Sequence, residues 1–338
     1  MIRSIHMLSF TVALWSAVGL SIGPEARRAG AAETNVAEVL GAVVKLSAEV
    51  PAEARTASQL GTRREGHAAV IDSDGLAVTI GYLILEAEKV DLTMADGKTV
   101  PARVLAYDHE TGFGLVRALQ PLGVKPLRLG DSAVARDGAP VLVAGHGGTA
   151  NASAARVVAR RDFAGYWEYL LEDAIFTAPP VPSFGGAALI DSGGRLIGIG
   201  SLIIPDAAGP QTHSPGNMFI PINVLKPIMA DLLERGRSGR PRHPWIGVYT
   251  MEGSGHLFVG RVAKDGPAAE AGLAAGDIIV GVAGQPVAGQ IDFYRKLWAQ
   301  GAPGTEIRLS VLKSGKGLTE TTVKSTDRYS WLRFSRGN

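Results

Sequence analysis

Three residues of this sequence, His109, Glu110 and Ser183, could in principle act as a base, an acid and a nucleophile. His109 and Glu110 are adjacent and could supply a base and an acid, but they lie in a predicted polar turn. The hydroxyl of Ser183 stands between a proline and a phenylalanine, which is also typical of a turn. A serine becomes a nucleophile only when a histidine and a carboxylate activate it, and no such partner can be identified for Ser183.

The composition excludes several other kinds of chemistry. The chain has no cysteine, so thiol catalysis, disulfide bonds and cysteine-ligated metal sites are excluded. The seven histidines show no His-Glu-x-x-His pattern or similar spacing, and we therefore predict neither a metal nor another cofactor. His67 is predicted to pack at a strand end, and His146 is predicted to lie in a turn.

Short apolar runs separated by turn signals dominate the chain from His67 onward. Regular short strands of this kind favour barrels or a sandwich over a parallel sheet. A helix is predicted over 36–50, and a second over 223–235 with Asn223 as its N-cap and Gly236 as its stop. The predicted strands are 68–71, 77–80, 90–94, 100–107, 114–118 and 141–144.

The first 31 residues are typical of a secretory signal. An arginine at position 3 precedes an apolar run over 7–22, and Ala-Gly-Ala at 29–31 fits a cleavage site. The alternative is an uncleaved membrane anchor. Without residues 1–31 the chain loses three arginines and one glutamate, which makes it formally neutral, so no basic surface to attract nucleic acid is expected. The signal predicts a periplasmic or secreted protein.

The segment 177–199, TAPPVPSFGGAALIDSGGRLIGI, resembles the nucleophile segment of trypsin-like serine proteases of the HtrA family. In an ungapped comparison, the catalytic serine of that family falls on Gly185. A second register places it on Phe184, but that register needs an extra residue before the strand at 195–199. Neither register supplies a serine nucleophile.

The other two triad positions of that family also fall on residues of the wrong type. The stretch GLAVTIGYLI at 75–84 places Tyr82 at the histidine position, and DHETGFGLVR at 108–117 places Gly112 at the aspartate position. A phenol is a poor base at neutral pH, and glycine has no side chain. Because triad residues act as a unit, the resemblance implies a protease fold that lacks its catalytic chemistry.

The segment 245–326 resembles a PDZ module of the HtrA type, with the run AGLAAGDIIVGVAGQPV at 271–287 as its strongest marker. PDZ domains add an extended peptide to a sheet edge and capture its terminal carboxylate with backbone amides. A helix that begins near residue 292 would use Phe293 and Leu297 either as the other wall of the groove or as core beneath it, and the sequence leaves both readings open. The residues that the resemblance assigns to the capture loop are Trp245, Ile246, Gly247 and Val248.

The sequence thus predicts a mostly β protein, a trypsin-like double β-barrel followed by an α+β PDZ domain. The predicted parts are a signal peptide at 1–31, the protease-fold domain at 32–238, a linker at 239–244, the PDZ domain at 245–326 and a docked C-terminal tail at 327–338.

The resemblance implies binding as the function of the chain. Its partners would be C-termini or unfolded segments of envelope proteins, held by a scaffold, adaptor or holdase that needs no nucleic acid and no membrane anchor once the signal is cleaved. The alternative is a serine endopeptidase. By analogy with the family, a homo-trimer is expected.

Overall fold

The structure, a computed structural model, describes residues 35–333. The predicted signal peptide at 1–31 and the end of the predicted tail, 334–338, lie outside the described residues. The described part contains two closed barrels followed by an open sheet with helices against it. The mostly β class and the double β-barrel with a PDZ domain are therefore confirmed. Within 35–333, no helix is long and apolar enough to cross a membrane.

The first barrel is built from six antiparallel strands in the order β1-β2-β3-β6-β5-β4, and β1 pairs with β4 to close it. Two short helices flank its first strand, α1 (Val36–Gly41) and α2 (Ala57–Leu60). The strands are β1 (Val43–Glu49), β2 (Arg63–Val70), β3 (Leu76–Ile80), β4 (Lys89–Thr93), β5 (Thr99–Tyr107) and β6 (Phe113–Ala118).

The predicted helix over 36–50 is wrong beyond its first turns. Residues 43–49 form β1, which pairs with β2 on one side and β4 on the other. Val43 and Val44 are fully buried, and β-branched residues pack well on such a pleated surface. Barrel closure thus overrides the helix-like pattern of this segment.

The second barrel has the strand order β10-β11-β12-β9-β8-β7 and is also closed. Its longest pair, β8 and β9, forms a hairpin whose tip, residues 166–168, extends to the C-terminal domain. The strands are β7 (Pro140–Ala144), β8 (Ala152–Gly165), β9 (Tyr169–Ala178), β10 (Ala188–Ile190), β11 (Leu196–Ile204) and β12 (Gly216–Pro221).

The helix that follows the second barrel is shorter than predicted. Two 3₁₀ turns, Ile222–Val224 and Lys226–Ile228, come first, and the α-helix α3 covers only Met229–Arg235. Asn223 is therefore not its N-cap; its side-chain amide binds Asp131 at 2.6 Å instead. The proline at 227 explains the delay, because it has no amide hydrogen to donate to the Asn223 carbonyl in an α-helix. Gly236, with φ 71°, ends the helix as predicted.

The C-terminal domain is a sheet in the order β13-β14-β15-β17-β18, so that β13 forms one edge. An isolated bridge between Trp245 and Thr326 joins the two ends of this domain. Its helices are α4 (Pro267–Glu270) and α5 (Gln290–Trp298), and α6 (Arg328–Trp331) follows it. The strands are β13 (Val248–Gly253), β14 (His256–Val262), β15 (Ile278–Val282), β16 (Gln285–Pro286), β17 (Glu306–Lys313) and β18 (Gly317–Lys324).

The described part of the tail, 327–333, packs against the first barrel and the C-terminal domain. The Tyr329 hydroxyl donates to the Tyr107 carbonyl at 2.8 Å, and the Trp331 indole donates to the Lys264 carbonyl at 3.1 Å. These bonds hold α6 between the two parts of the molecule.

Candidate functional site

The cleft between the two barrels brings the three predicted triad positions together. Tyr82 lies in a 3₁₀ turn directly after β3, Gly112 directly precedes β6, and Gly185 lies in the loop before β10. A Cβ atom at Gly185 would lie 2.9 Å from the Tyr82 hydroxyl. The Gly81 amide, next to Tyr82, donates to the Gly112 carbonyl at 2.7 Å.

The phenol of Tyr82 spans the cleft. Its hydroxyl donates to the Ser201 carbonyl on β11 at 3.0 Å, so it links the first barrel to the second. Burial raises the pKa of Tyr82 well above its ordinary value. The phenol therefore stays neutral and acts as a hydrogen-bond donor, which is the opposite of what a general base does.

At Gly112 the neighbouring residues leave little room for a side chain. Its φ is 85°, and a Cβ atom would lie 3.0 Å from the Ile220 side chain and 3.1 Å from the Tyr169 hydroxyl. Tyr169 in turn donates to the Thr111 carbonyl at 2.8 Å and is buried. A tyrosine of the second barrel thus crowds the position where the family carries a carboxylate.

The loop at Gly185 is anchored through its backbone. The Gly185 carbonyl accepts from the His67 amide at 2.9 Å, whereas Ser183, two residues earlier, is exposed. The His67 ring is engaged elsewhere, because its Nδ1 accepts from the His146 amide at 3.0 Å. Burial, helped by His146 and Lys45, lowers the pKa of His67 to about 4. Within 35–333, no histidine ring nitrogen hydrogen-bonds to a serine hydroxyl.

His109 and Glu110 also differ from their predicted setting, because the turn that carries them is covered. His109 is buried against the Tyr329 ring at 4.9 Å, and burial lowers its pKa well below the ordinary value. The Glu110 carboxylate lies 3.6 Å from His243 Nδ1, and burial raises its pKa to about 7. The polar turn is therefore buried rather than solvated, since the tail and the linker pack over it.

A cavity of about 250 Å³ occupies the cleft beside these positions. Both barrels, the C-terminal domain and the tail contribute aromatic side chains to its lining. The C-terminal domain and the tail therefore cover this part of the cleft. These aromatic residues are Tyr82 and Tyr107 from the first barrel, Tyr166, Trp167, Tyr169 and Phe184 from the second, Tyr249 from the C-terminal domain and Trp331 from the tail.

The predicted capture loop presents three backbone amides to one carboxylate. The amides of Gly247 and Val248 donate to Glu168 Oε1 at 2.6 and 2.8 Å, and the Ile246 amide donates to Glu168 Oε2 at 3.1 Å. Gly247 has φ 82°, a conformation that turns its amide toward the anion and favours glycine. The amide of Trp245 does not take part, since it donates to the Thr326 carbonyl.

The helix α5 lies beside β13, and the two elements bound a groove that ends at this loop. Phe293 and Leu297 belong to the hydrophobic core of the C-terminal domain, which resolves the alternative that the sequence left open. The groove side of α5 is formed by Gln290 and Tyr294, whose side chains hydrogen-bond to Thr250 on β13.

The sequence patterns do not predict two residues of this site, Glu168 and Tyr294. Glu168 lies between two strands of the other domain, and nothing in its local sequence connects it with a loop 79 positions later. Tyr294 has a local signal that could have identified it, because it lies one position after the core residue Phe293 on the same helix and must therefore face a different side.

Comparisons with known proteins agree with this architecture. A trypsin-like peptidase domain model matches residues 66–199, and a PDZ domain model matches residues 258–313. The chain therefore contains a trypsin-like peptidase domain followed by a PDZ domain, an arrangement similar to that of HtrA-type proteases. The matched PDZ residues include α5, whereas the loop at 246–248 that holds Glu168 and the strand β13 directly precede them.

The curated proteins to which this chain is similar include periplasmic serine proteases. A probable periplasmic serine protease of the do/HhoA-like type from Haemophilus influenzae is 27% identical over 78% of this chain, and the periplasmic serine endoprotease DegP of Salmonella typhimurium is 26% identical over 75% of it. The alignments cover 60% and 55% of those two proteins, so the chain spans little more than half of their length.

Solved structures share the fold. A variant of the HtrA-type protease AlgW, solved with a tripeptide, superimposes with a TM-score of 0.51 at 23% identity and covers 88% of this chain and 97% of its own. A serine endoprotease from Yersinia pestis gives a TM-score of 0.50 at 22% identity, with 87% and 98% covered.

Proposed function

We propose that this chain is an exported HtrA-like pseudoprotease that binds peptides or unfolded envelope proteins through its PDZ domain. The observation that carries the proposal is the convergence of the amides of Ile246, Gly247 and Val248 on a single carboxylate. Backbone amides arranged in this way recognise the terminal carboxylate of an extended chain. The loop therefore has the chemistry of a peptide reader.

The cleft supports the other half of the proposal. Tyr82, Gly112 and Gly185 lie together, and they offer neither a base nor an orienting carboxylate nor a serine hydroxyl. A serine endopeptidase, the activity named for the curated relatives, is the alternative function. It would require a nucleophile and base other than these three residues.

The setting that we propose is protein quality control in the periplasm. The curated relatives are periplasmic, and the sequence predicts a signal peptide at 1–31. The partners would be exposed C-termini or unfolded segments of envelope proteins, bound by a scaffold, an adaptor or a holdase. A homo-trimer remains the expected assembly by analogy.

Labelling with a fluorophosphonate probe separates the two functions. The probe reacts only with an activated serine, so the purified chain should stay unlabelled while trypsin in the same buffer is labelled. Labelling that disappears in a Ser183→Ala variant would establish the endopeptidase instead.

Calorimetry with a pair of peptides tests the binding half. A peptide that ends in a free carboxylate should bind, and the same peptide with an amidated end should bind at least tenfold more weakly, because the loop then faces no anion. Equal affinities would contradict a reader of chain termini.

A further inference from the structure

The hairpin tip at 166–168 lies in the groove where a PDZ ligand would bind. The amide of Thr250, on the edge strand β13, donates to the Tyr166 carbonyl at 2.9 Å. On the opposite side, the Tyr294 hydroxyl of α5 donates to the Gly165 carbonyl at 2.7 Å and accepts from the Glu168 amide at 3.2 Å. Both walls of the groove are thus bonded to the same short segment of the second barrel.

The direction of this segment is the direction of a bound C-terminal peptide. Tyr166 bonds to Thr250, and two residues later Glu168 reaches the amide of Val248, which lies two residues earlier on the PDZ side. The contacts along the tip and along β13 therefore follow in opposite order, as in an antiparallel pair, although the tip itself is the turn between β8 and β9. Strand addition at a sheet edge is the usual geometry of PDZ recognition.

The carboxylate of Glu168 stands where the terminal carboxylate of such a peptide would stand. It accepts three backbone amides, and the residue is only 3% exposed. Its φ of 55° is unfavourable for a residue with a side chain, and such a conformation persists only when the surroundings hold it. The loop amides and the Tyr294 hydroxyl provide that hold.

We propose that the β8–β9 hairpin tip is an internal ligand of the PDZ groove, and that an external chain terminus binds only by displacing Glu168 from the amides of Ile246, Gly247 and Val248. The inference rests on the proposed function in one respect, namely that the external ligand is a peptide C-terminus. Three amides cannot serve two carboxylates at once, so binding and closure exclude each other. The apparent affinity for an external peptide is therefore the intrinsic affinity of the open groove multiplied by the fraction of molecules that are open.

Displacement of the tip would also change the lining of the cleft between the barrels. Tyr166 and Trp167 belong to the tip, and both line the 250 Å³ cavity beside Tyr82. Trp167 stacks on Tyr169, with ring centroids 5.4 Å apart, and Tyr169 is the residue that crowds Gly112. A peptide that removes the tip therefore opens the cavity as well as the groove.

Hydrogen exchange on the full chain tests the internal ligand without any peptide. In the wild type, the amides of residues 246–248 should exchange slowly, because Glu168 accepts all three. At pH 8, above the pKa of Glu168, Glu168→Gln and Glu168→Ala should each speed this exchange at least tenfold, since an amide oxygen is a weaker acceptor than a carboxylate and a methyl group is none. The matched control is Glu172→Gln, at a glutamate on β9 that is exposed and lies 3.8 Å from Arg295 of α5, so that it removes a carboxylate from the same interface without removing an acceptor of the loop amides. Unchanged exchange in both Glu168 variants would overturn the inference.

Peptide binding then tests the competition. The probe is a fluorescein-labelled hexapeptide that copies residues 163–167 and ends in valine with a free carboxylate. Glu168→Gln and Glu168→Ala should bind it at least tenfold more tightly than the wild type or Glu172→Gln, and in the wild type the peptide should speed amide exchange in the tip. Equal affinity in all four proteins would overturn the inference but leave the proposed peptide reader intact.

The two failures can be told apart. If exchange at 246–248 rises in the Glu168 variants but none of the four proteins binds the free-acid probe more tightly than its amide, the internal contact is supported and the proposed peptide reader is wrong. Circular dichroism of each variant shows whether it is folded, and Glu168→Gln keeps the shape of the side chain, so the comparison does not depend on the alanine variant alone.

Discussion

A tyrosine from the opposite side of the cleft takes the place of a side chain at Gly185. A Cβ atom at this position would lie 2.9 Å from the Tyr82 hydroxyl, which is closer than real Cβ contacts allow. That hydroxyl is held by the Ser201 carbonyl and is neutral, so a serine introduced here would meet a donor instead of a base. The same crowding affects Gly112, where Tyr169 lies within 3.1 Å of the added atom.

We therefore expect Gly185→Ser to remain inactive. It should not cleave casein above background and should not react with a fluorophosphonate. The triple variant with Tyr82→His and Gly112→Asp restores all three residue types, but the left-handed φ of Gly112 and the Tyr169 ring should displace the new carboxylate, so its activity should stay at least a thousandfold below that of an intact triad. Vigorous cleavage by the single variant would show that the catalytic position lies elsewhere.

The protonation of Glu168 should make closure of the groove depend on pH. Burial raises the pKa of Glu168 to about 7, which outweighs the three amide donors and Arg328, which lower it. In the closed state the carboxyl group keeps a proton that a solvated glutamate loses near pH 4.5. The stability that Glu168 contributes is therefore fully present below pH 4.5 and is lost as the pH rises through 7.

Glu110, His67 and His109 also have shifted pKa values, but they titrate equally in the wild type and in Glu168→Gln. The difference between the two proteins therefore isolates the contribution of Glu168. From pH 5 to pH 8, the unfolding free energy of the wild type should fall relative to that of the variant by up to about 3 kcal/mol. Urea titrations at the two pH values measure it. A difference that is constant with pH would mean that Glu168 stays ionised throughout.

At the scale of elements, the sequence predicts the strands and helix ends that depend on residues close together in the chain. The barrel strands follow from short apolar runs and their turns, and Gly236 ends α3 because glycine tolerates the left-handed conformation there. The residue pattern of 43–49 predicts a helix, but the segment is a strand because it pairs with β2 on one side and β4 on the other. The hairpin tip could not be assigned either, since its partners are distant in sequence and belong to another domain.

The capture loop depends on the conformation of Gly247, which gives an element-scale prediction. Its φ is 82°, and a Cβ atom would lie 3.1 Å from Ala263 and from the Trp245 ring. Gly247→Ala should cost roughly 1–2 kcal/mol for the left-handed backbone and should also shift the loop, so that amides 246 and 248 exchange faster.

Gly255 offers a matched control in the turn between β13 and β14. Its φ is 74°, similar to that of Gly247, but a Cβ atom would meet nothing within 4 Å. Gly255→Ala should therefore lose a similar backbone term while amides 246 and 248 keep their protection. If both variants exchange alike, the loop does not depend on the space around Gly247.

For the whole molecule, the contacts between the domains matter as much as the two folds. The described chain forms one compact unit from residue 35 onward, although its sequence contains two separate domain patterns. Besides Glu168, the link includes Arg295 on α5, which lies 2.6 Å from Asp162 on β8, and α6, which hydrogen-bonds to both parts. The sequence predicted the tail as docked but gave no sign of this shared interface, because each of its residues has its partner in the other domain.

This interface should make the barrels and the PDZ domain unfold together. Burial of Glu168 and Tyr294 links groove, hairpin and second barrel, so the PDZ domain cannot open without exposing polar groups that are paired in the closed form. We expect one calorimetric transition for the wild type and for Glu172→Ala. Glu168→Ala should lower the transition of the PDZ domain and separate it from that of the barrels, because domains joined by weaker contacts unfold as independent units. Two transitions in the wild type at pH 7 would show that the domains are already independent, and the hairpin tip would then be a local contact without control over the groove.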